Sequence, residues 1–520
     1  MESWFIIVVT LCIALLLKFL INTTIISPNS SSKKKLPPGP YSFPVIGGVL
    51  WAIKIAINMQ SILRDLKDKY GPLITINTGS RPNIYVASHS LAYQALVQQG
   101  AVFSDRLRAL PTHAILSSNQ RSISSAPYGP IWRLLRRNLT SEMLNPSRIK
   151  SYSKARSSVL GILLQNLRHA QVDSVKLIDH FQYAMFCLLV LMCFGDKLEE
   201  SQIKDIENIQ RKYIVNYRRF YILNFFPRLG KIIFRNRWKE LVELRREQES
   251  IIIPLIEARN RNKEQKKEQS DEFVVAYVDT LLNLELPEEN RNLNLGEMVT
   301  LCREFLSAGT DTTSTALQWI MANLVKNPSI QEKLYREIAS VVGEKQSKLS
   351  TDEEVVKEED FQKMPYLKAV ILEGLRRHPP SHVLFPHTVT EEVELNGYTV
   401  PKNGTINFMV ADMGLDPNVW EDPMEFRPER FLVEGSDKGV DFDITGSKEI
   451  KMMPFGAGRR MCPAYALAML HLEYFVANLV WQFQWDPVEG DDVDLSEKLI
   501  FTSVMKNPLR ARIFPRVNSV

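Results

Sequence analysis

Residues 454–469 read PFGAGRRMCPAYALAM, and the reading of Cys462 in that stretch decides how the rest of the chain is understood. Gly456 and Gly458 punctuate a loop that carries Arg459 and Arg460, and Pro463 then opens an apolar run with helical spacing. Proline is tolerated at a helix start, where its missing N–H has no partner to lose. A thiol just ahead of such a helix meets orphan amide donors and the positive end of the helix dipole, and both favour the thiolate. Cys462 therefore has three readings. It is a small buried hydrophobe, or a nucleophile needing a base that no histidine nearby in sequence supplies, or a metal ligand. The spacing F-x-x-G-x-R-x-C, through Phe455, Gly458 and Arg460, weighs against plain burial.

The chain around it has 520 residues, 45% apolar and 24% charged, which is ordinary globular composition, and length alone would suggest about three domains. Its 64 basic and 59 acidic residues nearly balance. No arginine-rich stripe interleaved with aromatics is present, so a nucleic-acid partner is not expected. The five cysteines, Cys12, Cys187, Cys193, Cys302 and Cys462, are odd in number, far apart and without a C-x-x-C pair. Neither a disulfide framework nor a zinc site is indicated, and a reducing compartment fits.

MESWFIIVVTLCIALLLKFL is apolar from Trp4 to Leu17 and resumes after Lys18. That is enough to span a bilayer core of about 20 residues if Lys18 reaches toward an interface. A cleaved signal peptide would have a shorter apolar core and an A-x-A-like site, which NTTIISPNSSSKKK lacks. Lys18 and Lys33, Lys34 and Lys35 follow the span, so the positive-inside bias places all that follows in the cytosol. The sequons at Asn22, Asn29, Asn138 and Asn403 then read as chance matches. We expect an anchor over residues 1–26, a polar linker and proline-rich hinge over 27–48, and one catalytic domain over 49–520.

In LPPGPYSFPVIGG, residues 36–48, four prolines and three glycines preclude a regular helix or central strand, while Phe43, Val45 and Ile46 suggest packing. Two β-type runs flank Gly-Ser-Arg-Pro in residues 72–88, and Asn396-Gly397 centres a second hairpin. Helical periodicity dominates residues 131–330, broken by the charged run from Arg259 to Asp271, read as a solvated loop or helix extension. Strands and helices do not alternate. This predicts a mainly α fold with small sheets (α+β) rather than a doubly wound sheet. There is no G-x-G-x-x-G after a strand, no G-x-x-x-x-G-K-[ST] and no H-E-x-x-H.

Two further constellations carry chemistry. EFLSAGTDTTSTALQWIMANLVKNP, residues 304–328, belongs to a helix expected to begin near Glu297 and stop before Pro328, roughly 45 Å long. Its apolar frame is interrupted by Gly309, Thr310, Asp311, Thr312 and Thr313, and such rule-breaking is expected at functional sites. The bland alternative has the hydroxyls bonding back to i−4 carbonyls and Asp311 in a surface salt bridge. The sharper one has acid and hydroxyl opening a ligand groove and relaying protons. In YLKAVILEGLRRHPP, Glu373 and Arg376 stand at i, i+3. Such a pair is worth at most about 1 kcal/mol when solvated, but several when buried. His378, His382 and His387 match no zinc spacing and are treated as independent.

Together, and in this order, these segments resemble the cytochrome P450 superfamily of haem-thiolate monooxygenases in its plant microsomal form. The resemblance covers essentially the whole chain: the anchor, PPGP, WRLLRR from Trp132, AGTDTT from Ala308, EGLR from Glu373, FRPERF from Phe426 and FGAGRRMC from Phe455. It implies a triangular helical body around a buried haem b, with Cys462 as the thiolate ligand of the iron. Phe455 and Gly458 would shape the loop around that sulfur. Trp132, Arg136, His387 and Arg460 match positions that pair with the haem propionates, as cations should with carboxylates. Asp311 and Thr312 match the acid and alcohol that deliver protons to dioxygen, with Ala308 and Gly309 leaving room for it. Glu373, Arg376 and Arg430 match a buried structural triad. One departure stands out: the family usually has glycine where this chain has Ala464, and overpacking there would cost about 1 to 3 kcal/mol.

The resemblance further implies a single-pass enzyme of the endoplasmic reticulum with its catalytic domain in the cytosol. It would insert one atom of dioxygen into a lipophilic or amphipathic molecule, with electrons from NADPH-cytochrome P450 reductase and cytochrome b5 as an additional donor. Substrate-facing segments would be residues 105–125, Phe305 to Ala308, SHVLFP from Ser381 and FTSVMK from Phe501. CREFLSAGTDTTSTALQWIMANLV and LHLEYFVANLVW resemble plant family eighty-nine most, which includes an oxidase of linear tetrapyrroles, with the fatty-acid-oxidising family seventy-seven nearby. The rival readings are a haem-thiolate isomerase or dehydratase that needs no reductase, and a haem-binding scaffold without turnover.

Overall fold

Apolar positions recurring at helical spacing fold as helices through the middle of the chain. The computed structural model describes residues 10, 14, 35–40, 46–77, 82–169, 174–195, 198–224, 227–266, 274–343, 355–436 and 438–516. Nearly all of the expected anchor, 1–26, lies outside the described residues. The helices that position the site are α1 (Ile46–Tyr70), α2 (Pro111–Leu116), α3 (Pro130–Asn138), α4 (Leu177–Phe194), α5 (Glu200–Phe220), α6 (Arg235–Lys266), α7 (Leu295–Lys326), α8 (Pro365–Arg377) and α9 (Tyr465–Gln482). The strands are β1 (Leu73–Asn77), β2 (Pro82–Val86), β3 (His387–Thr388), β4 (Thr405–Phe408), β5 (Glu497–Leu499) and β6 (Ser503–Met505).

The four-stranded sheet has the order β1-β2-β4-β3. Leu73 pairs Val86 in the antiparallel β1/β2 hairpin, Ile84 lies beside Ile406 in the parallel β2/β4 pair, and His387 pairs Ile406 across β3/β4. The Asn396-Gly397 hairpin forms as expected, both residues at positive φ. Residues 35–40 lie against these sheets: Thr75 donates its N–H to Pro38 O at 2.8 Å and Thr399 donates to Lys35 O at 2.9 Å. α1 begins at Ile46, so the last three residues of the expected hinge are helical; the prolines that forbid helix end at Pro44.

α7 is the axis of the body. Asn294 caps it reciprocally with Glu297, each side chain taking the other's backbone N–H at 2.9 Å. At 32 residues it is about 48 Å long, and it packs on α4, α8 and α9. α4 is apolar nearly throughout and long enough to cross a membrane, but 67% of that window is buried inside the protein. It is the core partner of α7.

Three side chains depart from the sequence expectations. Arg259 opens the supposedly solvated charged run but is buried, donating to Asp279 at 2.7 Å, because α6 carries it under the 274–279 segment. Beyond Lys266 the run lies outside the described residues. His378 and His382 are not independent: His378 Nδ1 lies 2.9 Å from Glu497 Oε1 and His382 Nε2 lies 2.7 Å from Glu497 Oε2. They fasten the β5/β6 hairpin to the loop that follows α8, a long-range pairing invisible to local spacing.

Candidate functional site

The loop before α9 takes its shape from its glycines. Gly456 and Gly458 have φ of 71° and 68°, and a Cβ on Gly458 would overlap the Leu96 carbonyl, so no other residue fits there. The turn carries Cys462 back to Phe455, whose carbonyl accepts the Cys462 N–H at 2.8 Å. Ala464 has φ −100° and ψ 21°, which any residue adopts, so the backbone does not require the family's glycine here. Its N–H donates to the Cys462 sulfur.

Burial pushes the Cys462 thiol up, against the pull of that N–H and of Arg136. A thiol raised in this way is not an activated nucleophile, and among the described residues no base bonds to it. A metal cation removes the proton outright, so ligation needs no prior thiolate. Cys193 and Cys302 are fully buried, whereas Cys462, like Cys187, is only partly so; what sets Cys462 apart is the amide donor on its sulfur and the arginines around it.

α3 and the loops around it gather cations beside this sulfur. Trp132 and Arg136 lie one turn apart, and the guanidinium carbons of Arg460 and Arg136 stand 4.5 Å and 6.0 Å from the Trp132 ring centre. Arg460 donates to the carbonyls of Ser104, Ile123 and Ala126 at 2.8, 3.2 and 2.7 Å. Burial, with Arg106 and Arg136 as like-charged neighbours, pushes Arg460 down to about 9. Burial likewise lowers Arg106 to about 10. Asp105 is the nearby carboxylate, and its Oδ1 already accepts the Arg106 and Tyr128 N–H groups at 2.8 Å each. Positive charge is thus in excess, and Trp132 Nε1 is buried without a partner.

His387 lies inside this cluster: its Nδ1 stands 2.7 Å from Phe103 O, and burial, with Arg106 and Arg460 as like-charged neighbours, lowers it to about 3. Arg106 joins the same cluster, donating to the Phe385 and Pro386 carbonyls at 2.8 Å. It carries no motif, and its sequence signal is only a charged pair, Asp105-Arg106, in a loop.

The middle of α7 forms a second group, with no hydrogen bond to the first among the described residues. Ala308 is exposed, although Leu301 and Thr315, seven residues to either side on the same face, are buried. The surface at Ala308 is therefore open volume inside the helical body. Gly309 does not serve that opening: a Cβ there would meet Leu189 Cδ1 at 2.6 Å, so its role is the close approach of α7 to α4. Thr312 Oγ donates to Ala308 O at 2.6 Å and Ser314 Oγ to Thr310 O at 2.8 Å, as the bland alternative expects. Asp311 does not follow it. Its carboxyl has no hydrogen bond or ion pair among the described residues, and burial raises it to about 6. Arg211 opposes that shift and Glu207 adds to it; the two are bonded to each other at 2.7 Å.

These features fit a haem: an axial sulfur donor, an unpartnered indole N–H, and surplus guanidinium for two propionates. Comparisons with known proteins agree. The Cytochrome P450 family model matches residues 37–513. Cytochrome P450 89A9 of Arabidopsis thaliana is 52% identical over 497 residues, covering 93% of this chain and 94% of that protein. Flavonoid 3',5'-hydroxylase of Solanum melongena is 26% identical, covering 96% of this chain and 94% of that protein. Among solved structures, a zebra fish cytochrome P450 with progesterone superposes with a TM-score of 0.73 at 22% identity, covering 88% of this chain and all of that one.

Proposed function

We infer that this chain, which belongs to the cytochrome P450 family, works as a membrane-anchored monooxygenase of lipophilic or amphipathic small molecules, fed by an NADPH-dependent reductase. The family and fold make it an oxidoreductase with haem b as cofactor. The observation that carries the finer reading is Cys462: a partly buried thiol with an amide donor on its sulfur and a surplus of guanidinium around it.

Haem b, when bound, supplies the one-electron and dioxygen chemistry that side chains lack. Cys462 would hold its iron. Arg136, Arg460, Arg106 and the Trp132 N–H would hold its propionates, and Phe455 and Gly458 would fix the loop. Ala308 would leave the space in which substrate and dioxygen meet. Asp311, poised near pH 6, would take protons from the α5 surface beside Glu207 and Arg211 and release them toward Thr312. The glycine two residues after the cysteine is not needed for backbone conformation, so any cost of Ala464 would come from packing of its methyl alone.

A carboxyl raised by burial has a second consequence. Between its ordinary value of 3.8 and about 6 the folded protein binds more protons at Asp311 than the unfolded chain does, so stability falls as pH rises through that window. Asp311→Asn is therefore expected to raise the melting midpoint at pH 7.5 while lowering turnover about 100-fold, the lower end of general acid–base contributions. Equal turnover in the variant would remove Asp311 from proton delivery.

The sequence carries neither a G-x-G-x-x-G after a strand nor a G-x-x-x-x-G-K-[ST], which supports a separate electron donor. Purified protein reconstituted with a plant NADPH-cytochrome P450 reductase in microsomal lipid should consume dioxygen and NADPH in a substrate-dependent way, and should be inactive without the reductase. Product formation that persists without reductase and NADPH would instead favour an isomerase or dehydratase.

A further inference from the structure

The cations of the α5–α6–α7 roof are not used alike. Arg245 is fully engaged, with Glu249 at 2.8 Å, Thr300 Oγ and Ser118 Oγ at 3.1 Å, and Gly296 O at 2.7 Å. Arg303, on α7, is 8% exposed. Among the described residues its guanidinium forms no hydrogen bond and no ion pair, and its Nε is buried without a partner. It rests on the π-face of Tyr213, 4.3 Å from the ring centre. A ring face eases but does not replace a carboxylate for a buried charge. The nearby acids are spent: Glu304 takes the N–H groups of Ile123 and Ser124 at 2.7 and 2.8 Å, Glu207 is bonded by Arg211, and Glu249 by Arg245.

The surroundings are built for the same purpose. Gln210 ties α5 to α7 at this level, donating to Arg303 O at 3.3 Å and accepting from Ser307 Oγ at 3.1 Å. From α2, His113 brings a buried Nδ1 that also lacks a partner, in an imidazole close enough to feel the Arg303 charge. Arg303, Ser307 and Asp311 form one stripe of α7, directly beside the stripe of Glu304, Ala308 and Thr312.

We propose that Arg303, with His113 beside it, is a carboxylate-binding subsite, and that the substrate of this enzyme is an apolar molecule bearing a carboxylate. This rests on the monooxygenase reading and narrows its substrate class. The carboxylate accepts from the unpaired Arg303 N–H groups, and the apolar body extends toward the opening at Ala308. Nine residues of helix separate Arg303 from Thr312, about 14 Å, so oxidation falls on an atom remote from the carboxylate.

The test compares dodecanoic acid with dodecan-1-ol on the haem-loaded protein at pH 7.5, by isothermal titration calorimetry and by optical binding spectra. The acid is expected to bind at least tenfold more tightly. Arg303→Gln should remove that preference and Arg303→Lys should keep part of it, with dodecanol affinity as the internal measure of an intact pocket. Equal affinity of acid and alcohol in the native protein, no binding of either, or a preference that survives Arg303→Gln would each overturn the proposal. The carbon-monoxide spectrum of the same samples separates this failure from failure of the haem-thiolate reading, which would show as a missing band before any ligand is added.

Discussion

Cys462→Ala is expected to abolish turnover while leaving the secondary structure in place. The bond that shapes the loop runs from the Cys462 backbone N–H to Phe455 O, and alanine keeps it. Gly456 and Gly458 keep the positive φ that bring the loop to α9. What disappears is the thiolate donor, for which the neighbouring guanidiniums and the indole cannot substitute. Circular dichroism of the variant should match the native protein, and substrate oxidation should fall to the level without enzyme. Retained oxidation in the alanine variant would mean that the sulfur is only packing.

Glu373→Gln is expected to cost about 3–5 kcal/mol of stability. Glu373 and Arg376 are both 0% exposed in their side chains and meet in two bonds of 2.6 and 2.8 Å. Glu373 Oε1 also accepts the Arg427 N–H at 2.8 Å and Arg430 Nε at 3.3 Å. Arg376 goes on to the carbonyls of Gly414, Pro423 and Glu425, stitching α8 to the segment that leads into the cysteine loop. Glutamine keeps the shape but leaves two buried guanidiniums without their counter-charge. The check is the urea midpoint of unfolding; a loss below about 1 kcal/mol would place the pair with ordinary solvated ones.

Much of this was legible because it is local. The i, i+3 spacing of Glu373 and Arg376, the glycines before Cys462 and the polar break in α7 are all sequence patterns, and each has its structural counterpart. The cap of α7 falls three residues from its expected start because Asn294 and Glu297 form a reciprocal box. What sequence could not give is convergence. Glu497 meets His378 and His382 from more than a hundred residues away, Arg106 joins the cluster from a loop without a motif, and His387 is lowered by burial and by the two arginines beside it. Gly309 was read as space for a ligand when its missing side chain faces Leu189, since only packing reveals which face of a helix is open. Arg303 carried a signal of its own, a cation within a mostly apolar stretch of helix, but its lack of any partner among the described residues emerges only from the fold.

The central claim is that Cys462 is the sulfur ligand of a haem iron. The absorption spectrum of the purified protein, reduced and saturated with carbon monoxide, tests it most directly. Ligation by this thiolate gives a red-shifted Soret band, absent in Cys462→Ala. A native protein whose carbon-monoxide complex lacks that band, or a variant that keeps it, would contradict the assignment.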